Sequence, residues 1–156
     1  MKRAQLRSAV SDAGASPAAV ECHPALQQRA LRAYCAGVGV AVVAYSPLGA
    51  GALLQHPVVA AVAQQARRTP AQVLLRWGLQ RELVVIPKAR ISMQHATLVS
   101  PAALTPLLRQ SVDPARVASN ADVWGFELDA AQLAQLDAIE ATDGPRRFCW
   151  DPTGVA

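Results

Sequence analysis

The sequence predicts an α/β fold in which parallel strands alternate with crossover helices. Three short apolar runs, near 18–22, 38–45 and 83–87, are largely continuous rather than alternating, as strands covered on both faces are. Between and after them, apolar residues recur at helical spacing behind recognisable N-caps. The length agrees, since 156 residues suffice for one domain with a real core and are too few for two ordinary ones.

Lys2 to Ala13 reads as a helix stopped by Gly14, and Ala18 to Cys22 as a strand closed by Pro24. From Ala25 to Cys35 the positions Leu26, Ala30, Leu31 and Tyr34 have helical spacing, with Gly37 where a C-cap belongs. Val38 to Tyr45 is continuous and β-branched and ends in the turn sequence Ser46-Pro47-Leu48-Gly49. Pro57 to Arg67 is a second helical stretch with Val58, Val59, Val62 and Ala66 on one side. Thr69-Pro70-Ala71-Gln72 is a capping box with proline at the first helical position, opening a helix through Leu74, Leu75 and Gly78. Leu83 to Ile86 is the third strand, closed by Pro87-Lys88. Asp113-Pro114 starts a short helix toward Asn120, and Asp129 with Gln132 caps the last helix, whose buried stripe is Leu133, Leu136 and Ile139. Proline and glycine make the tail from Thr142 a loop. An open doubly wound sheet and part of a (β/α)8 barrel both fit this order. Neither a G-x-G-x-x-G nor a G-x-x-x-x-G-K-[ST] sequence supports the open sheet.

Hydrophobic residues make up 52% of the chain and charged ones 17%, which excludes a disordered or fibrous protein. The net charge of +4 comes from scattered arginines and only two lysines, and aromatics are 4%. A small anionic ligand therefore suits the chain better than nucleic acid. Cys22, Cys35 and Cys149 are odd in number and far apart. They predict buried or half-buried thiols in a reducing, cytoplasmic setting rather than disulfides or a zinc site. No charged residue occurs from Ala33 to Ala66, but glycines and prolines interrupt that stretch, so it predicts a strand and loop and no membrane span.

Ligands of α/β folds sit beyond the carboxyl ends of strands. The tips here are Cys22-His23, Tyr45-Ser46-Pro47-Leu48-Gly49 and Pro87-Lys88. An aromatic ring, a hydroxyl and a glycine-eased turn suit a heteroaromatic ligand carrying phosphates, although an ordinary strand-ending turn has the same composition. Arg116 lies in the first turn of a helix, where a cation is unfavourable unless an anion is expected there. Lys88 with Arg116 is thus a candidate phosphate clamp, against the alternative of a solvated surface pair. Adjacent Cys22 and His23 on a strand point to opposite faces and make a poor nucleophile–base couple. Glu21, in an apolar strand, reads as a structural carboxylate bonded to backbone more readily than as a functional acid. His56 and His95 have no spaced partners for a metal.

VECHP, VVAYSPLGAGALL, TPAQVLLRWGLQR, VVIPK, DPARVASN and VWGFELDAAQLAQLD occur in the order found in the second half of an aldo-keto reductase, over most of Val20 to Asp137. The chain resembles that family. The resemblance implies the last three strands and C-terminal helices of a (β/α)8 barrel, with NADP(H) as cofactor and a small-molecule aldehyde or ketone as substrate. It also implies that Tyr45 stacks on the nicotinamide, that Ser46, Pro47, Leu48 and Gly49 run along the pyrophosphate, and that Lys88 and Arg116 hold the 2′-phosphate end. Ser119 and Asn120 fall at the adenine, Ser119 replacing a more usual glutamate.

The departures from the family pattern carry expectations too. A complete barrel needs about 250 residues, and this chain has 156. The catalytic half is expected to be missing: the only tyrosines are Tyr34 and Tyr45 and the only lysines Lys2 and Lys88, so no catalytic residue is assigned. The Asn-Gln pair that precedes the first tip in the family is absent before Val20. The family keeps its clamp lysine and arginine close together, whereas here they are 28 positions apart. Removing residues 89–110 would bring Ser111 directly after Lys88 and restore the family sequence. The whole chain, 1–156, is therefore expected to be the C-terminal portion of the family domain, with a non-family insertion at 89–110 from an intron, a gene-model error or a true added loop. The alternative to a reductase portion is a non-catalytic remnant that binds cofactor or acts as a scaffold. Three strands cannot close a barrel, so exposed sheet edges and self-association are expected.

Overall fold

A computed structural model describes residues 17–87 and 114–151. The helix expected over Lys2 to Ala13, the segment 89–110 and the site residues Lys88 and Ser111 lie outside the described residues. Three strands, β1 (Ala18–Glu21), β2 (Val42–Tyr45) and β3 (Val84–Ile86), form one sheet in the order β1-β2-β3. Both pairings are parallel, with Ala18 opposite Val42 and Glu21 opposite Tyr45, then Val43 opposite Val84 and Tyr45 opposite Ile86. Each strand lies beside its predecessor in the chain, with no reversal of order. That is how successive units of a (β/α)8 barrel are laid down, and the chain forms part of such a barrel.

The helices are α1 (Arg29–Gly37), α2 (Pro57–Ala66), α3 (Pro70–Gln80), α4 (Pro114–Ala121) and α5 (Ala130–Asp143). The core lies between the helices and one face of the sheet: Ala18, Val20, Val42 and Ala44 are buried with Val59, Val62, Leu74, Trp77 and Leu136. Gly78 of α3 faces β3 so closely that a Cβ there would stand 2.6 Å from Val85 Cγ1. The opposite sheet face is only partly covered, and Val84 and Ile86 are each 50% exposed.

Both expected capping boxes are present. The Thr69 side chain accepts from Gln72 N and the Asp129 side chain from Gln132 N, and each glutamine bonds back to the cap's own N–H. Several boundaries differ from expectation. The first described helix begins at Arg29, not Ala25, because Gln28 is left-handed (φ 52°) and residues 23–26 close a tight bridge between His23 and Leu26. Its C-terminal reversal falls at Gly39 (φ 68°) rather than Gly37. Val38 to Ala41 therefore precede the strand and are not part of it; Val42–Tyr45 pair with β1, and Val43 to Tyr45 lie between both neighbours. The outer strands likewise stop at Glu21 and Ile86. A 3-10 segment over Gly49–Gln55 follows the β2 turn and was not anticipated. His56 caps α2 through Nδ1, which accepts from Val58 N at 3.3 Å, while its Nε2 meets Asp143 Oδ2 at 2.8 Å. In α5, Gln132 is buried alongside Leu136 and Ile139, and Leu133 only partly.

Candidate functional site

The carboxyl ends of the three strands face one way, so their tips form one rim. At the central tip, Tyr45 is half-buried on the less covered sheet face, in register with Glu21 and Ile86. The chain then reverses: Gly49 N–H donates to Ser46 O at 2.8 Å and Gly51 N–H to Leu48 O at 3.0 Å. Ser46, Gly49, Ala50 and Gly51 all have positive φ, at 49°, 57°, 53° and 95°. Runs of left-handed and right-handed residues turn successive N–H groups inward and make anion-binding concavities. Gly49 is required there, because a Cβ would lie 2.7 Å from Leu53 Cγ and 2.9 Å from Phe148 Cε2. A Cβ at Gly51 would meet nothing within 4 Å, so that side of the turn is open.

At the first tip, Glu21 is 0% exposed and its carboxylate accepts from main chain. Phe148 N–H donates to Oε1 at 2.7 Å, and Cys149 N–H reaches Oε1 at 3.2 Å and Oε2 at 3.3 Å. His23 Nε2–H donates to Oε1 at 3.2 Å and Arg147 Nη1 to Oε2 at 3.4 Å. Glu21 is thus a structural carboxylate, as its setting in the sequence implied. Burial lowers the pKa of His23 and outweighs the neighbouring Glu21 carboxylate, which acts in the opposite sense. The Cys22 thiol points elsewhere, to Gln27 O at 3.5 Å, and burial pushes its pKa up to about 12. A resting thiol of that kind is no nucleophile.

Residues 146–149 cross this rim as a strap, a feature the sequence did not signal because its partners lie more than a hundred positions away. Arg146 N–H donates to Ala25 O at 2.8 Å, the Phe148 ring sits 5.2 Å from that of His23, and Cys149 Sγ lies 2.9 Å from Ser46 Oγ. Trp150, next along, is 69% exposed.

The remaining predicted residues are on a separate element. Arg116 is exposed, and Ser119 and Asn120 half-buried, on α4, which packs on α3. Gln72 Nε2–H donates to Ser119 O at 3.2 Å and to Asp122 O at 3.0 Å, tying the two helices. Ser119 also lines an open groove of about 860 Å³ together with Arg67, Arg68 and Thr69. Among the described residues no group of three or more His, Cys, Asp or Glu is placed to hold a metal, and no helix is long and apolar enough to cross a membrane. The cysteines are free, Cys22 and Cys35 buried and Cys149 half-buried.

A sequence model described as "Aldo/keto reductase family" matches residues 2–141. An aldo-keto reductase of Mycolicibacterium smegmatis is 42% identical over 133 residues, covering 85% of this chain and 38% of the relative. Aldo-keto reductase family 1 member A1 of Sus scrofa is 37% identical over 147 residues, covering 86% of this chain and 38% of the relative. The chain spans about two fifths of the length of the curated relatives it matches. Among solved structures, the apo form of Gox0644 is 32% identical with a TM-score of 0.76, over all of this chain and 49% of that one. A mutant of Gox0644 in complex with NADPH is 32% identical with a TM-score of 0.75 and the same coverage.

Proposed function

The chain belongs to the aldo/keto reductase family, and on that premise we propose that it is the cofactor-binding portion of an NADPH-dependent reductase of aldehydes and ketones. The observation that carries this reading is the β2 tip: a half-buried tyrosine followed at once by a hydroxyl and a turn of four positive-φ residues. The donor set fits such a cofactor, since the ring offers a stacking face, the Ser46 hydroxyl and the turn are uncharged phosphate partners, and the open side at Gly51 leaves room. In this reading Tyr45 holds the nicotinamide, Ser46 to Gly49 flank the pyrophosphate, Lys88 and Arg116, with Ser111 beside them, bind the 2′-phosphate, and Ser119 and Asn120 meet the adenine. When bound, the reduced nicotinamide supplies the hydride, and the protein's part is to position it and exclude water.

Protonating the carbonyl oxygen needs a positioned acid, typically contributing about 10²–10⁴-fold. Tyr34 belongs to α1 and Tyr45 is already engaged at the strand tip, so this sequence offers no second tyrosine at the rim. The chain by itself is therefore proposed to bind cofactor weakly without turnover. Self-association is part of the proposal, through Val84 and Ile86, which are half exposed on the outermost described strand.

Titration with NADPH and NADH, followed by fluorescence, alongside an assay with a generic aromatic aldehyde, tests the reading. We expect weak binding that favours NADPH, a preference that Lys88→Ala erases, and no turnover above the buffer blank. Equal affinity for both nucleotides sinks the 2′-phosphate assignment. Turnover that survives repurification sinks the absence of an acid.

A further inference from the structure

Resting on this reading of the β2 tip, we infer that Glu21 is a positioning residue for the cofactor turn: its carboxylate latches the strap 146–149 onto Ser46 and Gly49 and thereby fixes the wall that the pyrophosphate meets. A carboxylate that is 0% exposed is costly to bury unless its lone pairs are taken up. Here they are taken up chiefly by the strap, through the N–H groups of Phe148 and Cys149 and the guanidinium of Arg147, with His23 completing the set.

Held in this way, the strap touches the turn at two points. Cys149 Sγ meets Ser46 Oγ at 2.9 Å, and the Phe148 ring fills the space over Gly49. Ser46 has φ 49°, a left-handed conformation that a serine keeps only where its surroundings hold it. The strap is part of those surroundings. With the latch broken, Ser46 is free to relax, and a ligand that uses the turn must reorder it on binding. A ligand that uses only Arg116 and its neighbours on α4 is spared that cost. The latch thus acts on one end of the cofactor and not on the other.

The test uses the full chain, its Glu21→Gln variant, and Cys149→Ala as a milder lesion on the strap side. Amide hydrogen exchange at Phe148 and Cys149 reads the latch without any ligand. Affinities for NADP⁺ and for adenosine 2′,5′-bisphosphate, which lacks the nicotinamide ribotide half and keeps only the adenosine-side phosphate of the bridge, read its effect on the two ends. In Glu21→Gln we expect exchange at both amides to rise at least about tenfold. NADP⁺ should weaken about fivefold or more, with the bisphosphate unchanged. Cys149→Ala should weaken NADP⁺ selectively while Phe148 stays protected.

Protected amides in Glu21→Gln overturn the latch. Released amides with both ligands weakened equally, or with NADP⁺ unaffected, overturn the positioning role and leave Glu21 a merely structural residue. If Glu21→Gln fails to fold, Cys149→Ala decides: selective weakening of NADP⁺ supports the proposal and unchanged affinity overturns it. A wild-type chain that binds neither ligand overturns the cofactor reading itself, and the positioning role with it, whatever the amides show.

Discussion

The indole Nε1–H of Trp77 donates to the Asp137 carboxylate at 2.8 Å, joining α3 to α5 through a side chain only 1% exposed. The same carboxylate takes the Arg81 guanidinium. Removing it leaves a buried N–H unpaired, and an orphaned buried donor costs more than a hydrogen bond contributes. Asp137→Ala should lower the unfolding free energy by about 2–3 kcal/mol. Trp77→Phe added to that variant should cost less than it does in wild type, because the orphan is then gone. Urea denaturation of the four proteins measures this, and additive losses would contradict it.

Gly78 is a steric requirement of a different kind. Its φ is not left-handed, so an added methyl group is resisted only by Val85 Cγ1 at 2.6 Å. Gly78→Ala should destabilise by about 1–3 kcal/mol through overpacking. Val85→Ala, harmful alone, should recover part of the loss when combined with it. Two losses that simply add would show that the helix moves rather than the side chain.

Acid should weaken the fold through His23. Its folded-state pKa lies below the ordinary 6.5, mainly because of burial, so the unfolded chain binds more protons as pH falls through that value. The His23 contribution to stability is therefore complete above about pH 6.5 and declines below it toward the folded pKa. Urea midpoints should fall between pH 7.5 and 5.5, and less steeply in His23→Gln. An unchanged slope in the variant would assign the effect to other groups.

Thiol titration should resolve two classes. Cys149 is half-buried on the strap, whereas Cys22 and Cys35 are buried and burial raises the pKa of each, that of Cys22 to about 12. One thiol should react with an aromatic disulfide reagent in the native state and the other two only on unfolding. Two fast thiols in the folded protein would mean that a buried site opens readily.

Features encoded locally were legible in the sequence. The pairs Thr69–Gln72 and Asp129–Gln132 carry all the chemistry of a capping box within four residues, and both helices begin where those pairs place them. The parallel sheet was legible because its strands are apolar on both faces. What failed was what tertiary contacts decide. Ala25 to Gln27 have helical spacing, yet Gln27 is held by Asp137 O and Glu140 Oε1 from α5, and the helix waits until Arg29. Val38 to Ala41 look like strand, but the strand runs only from Val42 to Tyr45, with Ala41 adding a single carbonyl bond to Ala18 N–H. At the candidate site the β2 tip stood out because ring, hydroxyl and glycine fall within five residues, Tyr45 to Gly49. The strap did not, because nothing near Arg147 or Cys149 in the sequence mentions Glu21.

That separation has a temporal side. Each strand pairs with the one just before it, so the sheet can assemble in step with synthesis. The Glu21 carboxylate, however, finds its shortest bond with an amide 127 positions later. At about 5–20 residues per second, the ribosome makes it wait roughly 6–25 s for that partner. Through that interval the first strand must carry a charge toward a place that will exclude water, with only His23 at hand to meet it. The nascent chain therefore has reason to keep the tip of β1 wet until the strap has been made, so this tip closes only after the three strands can pair.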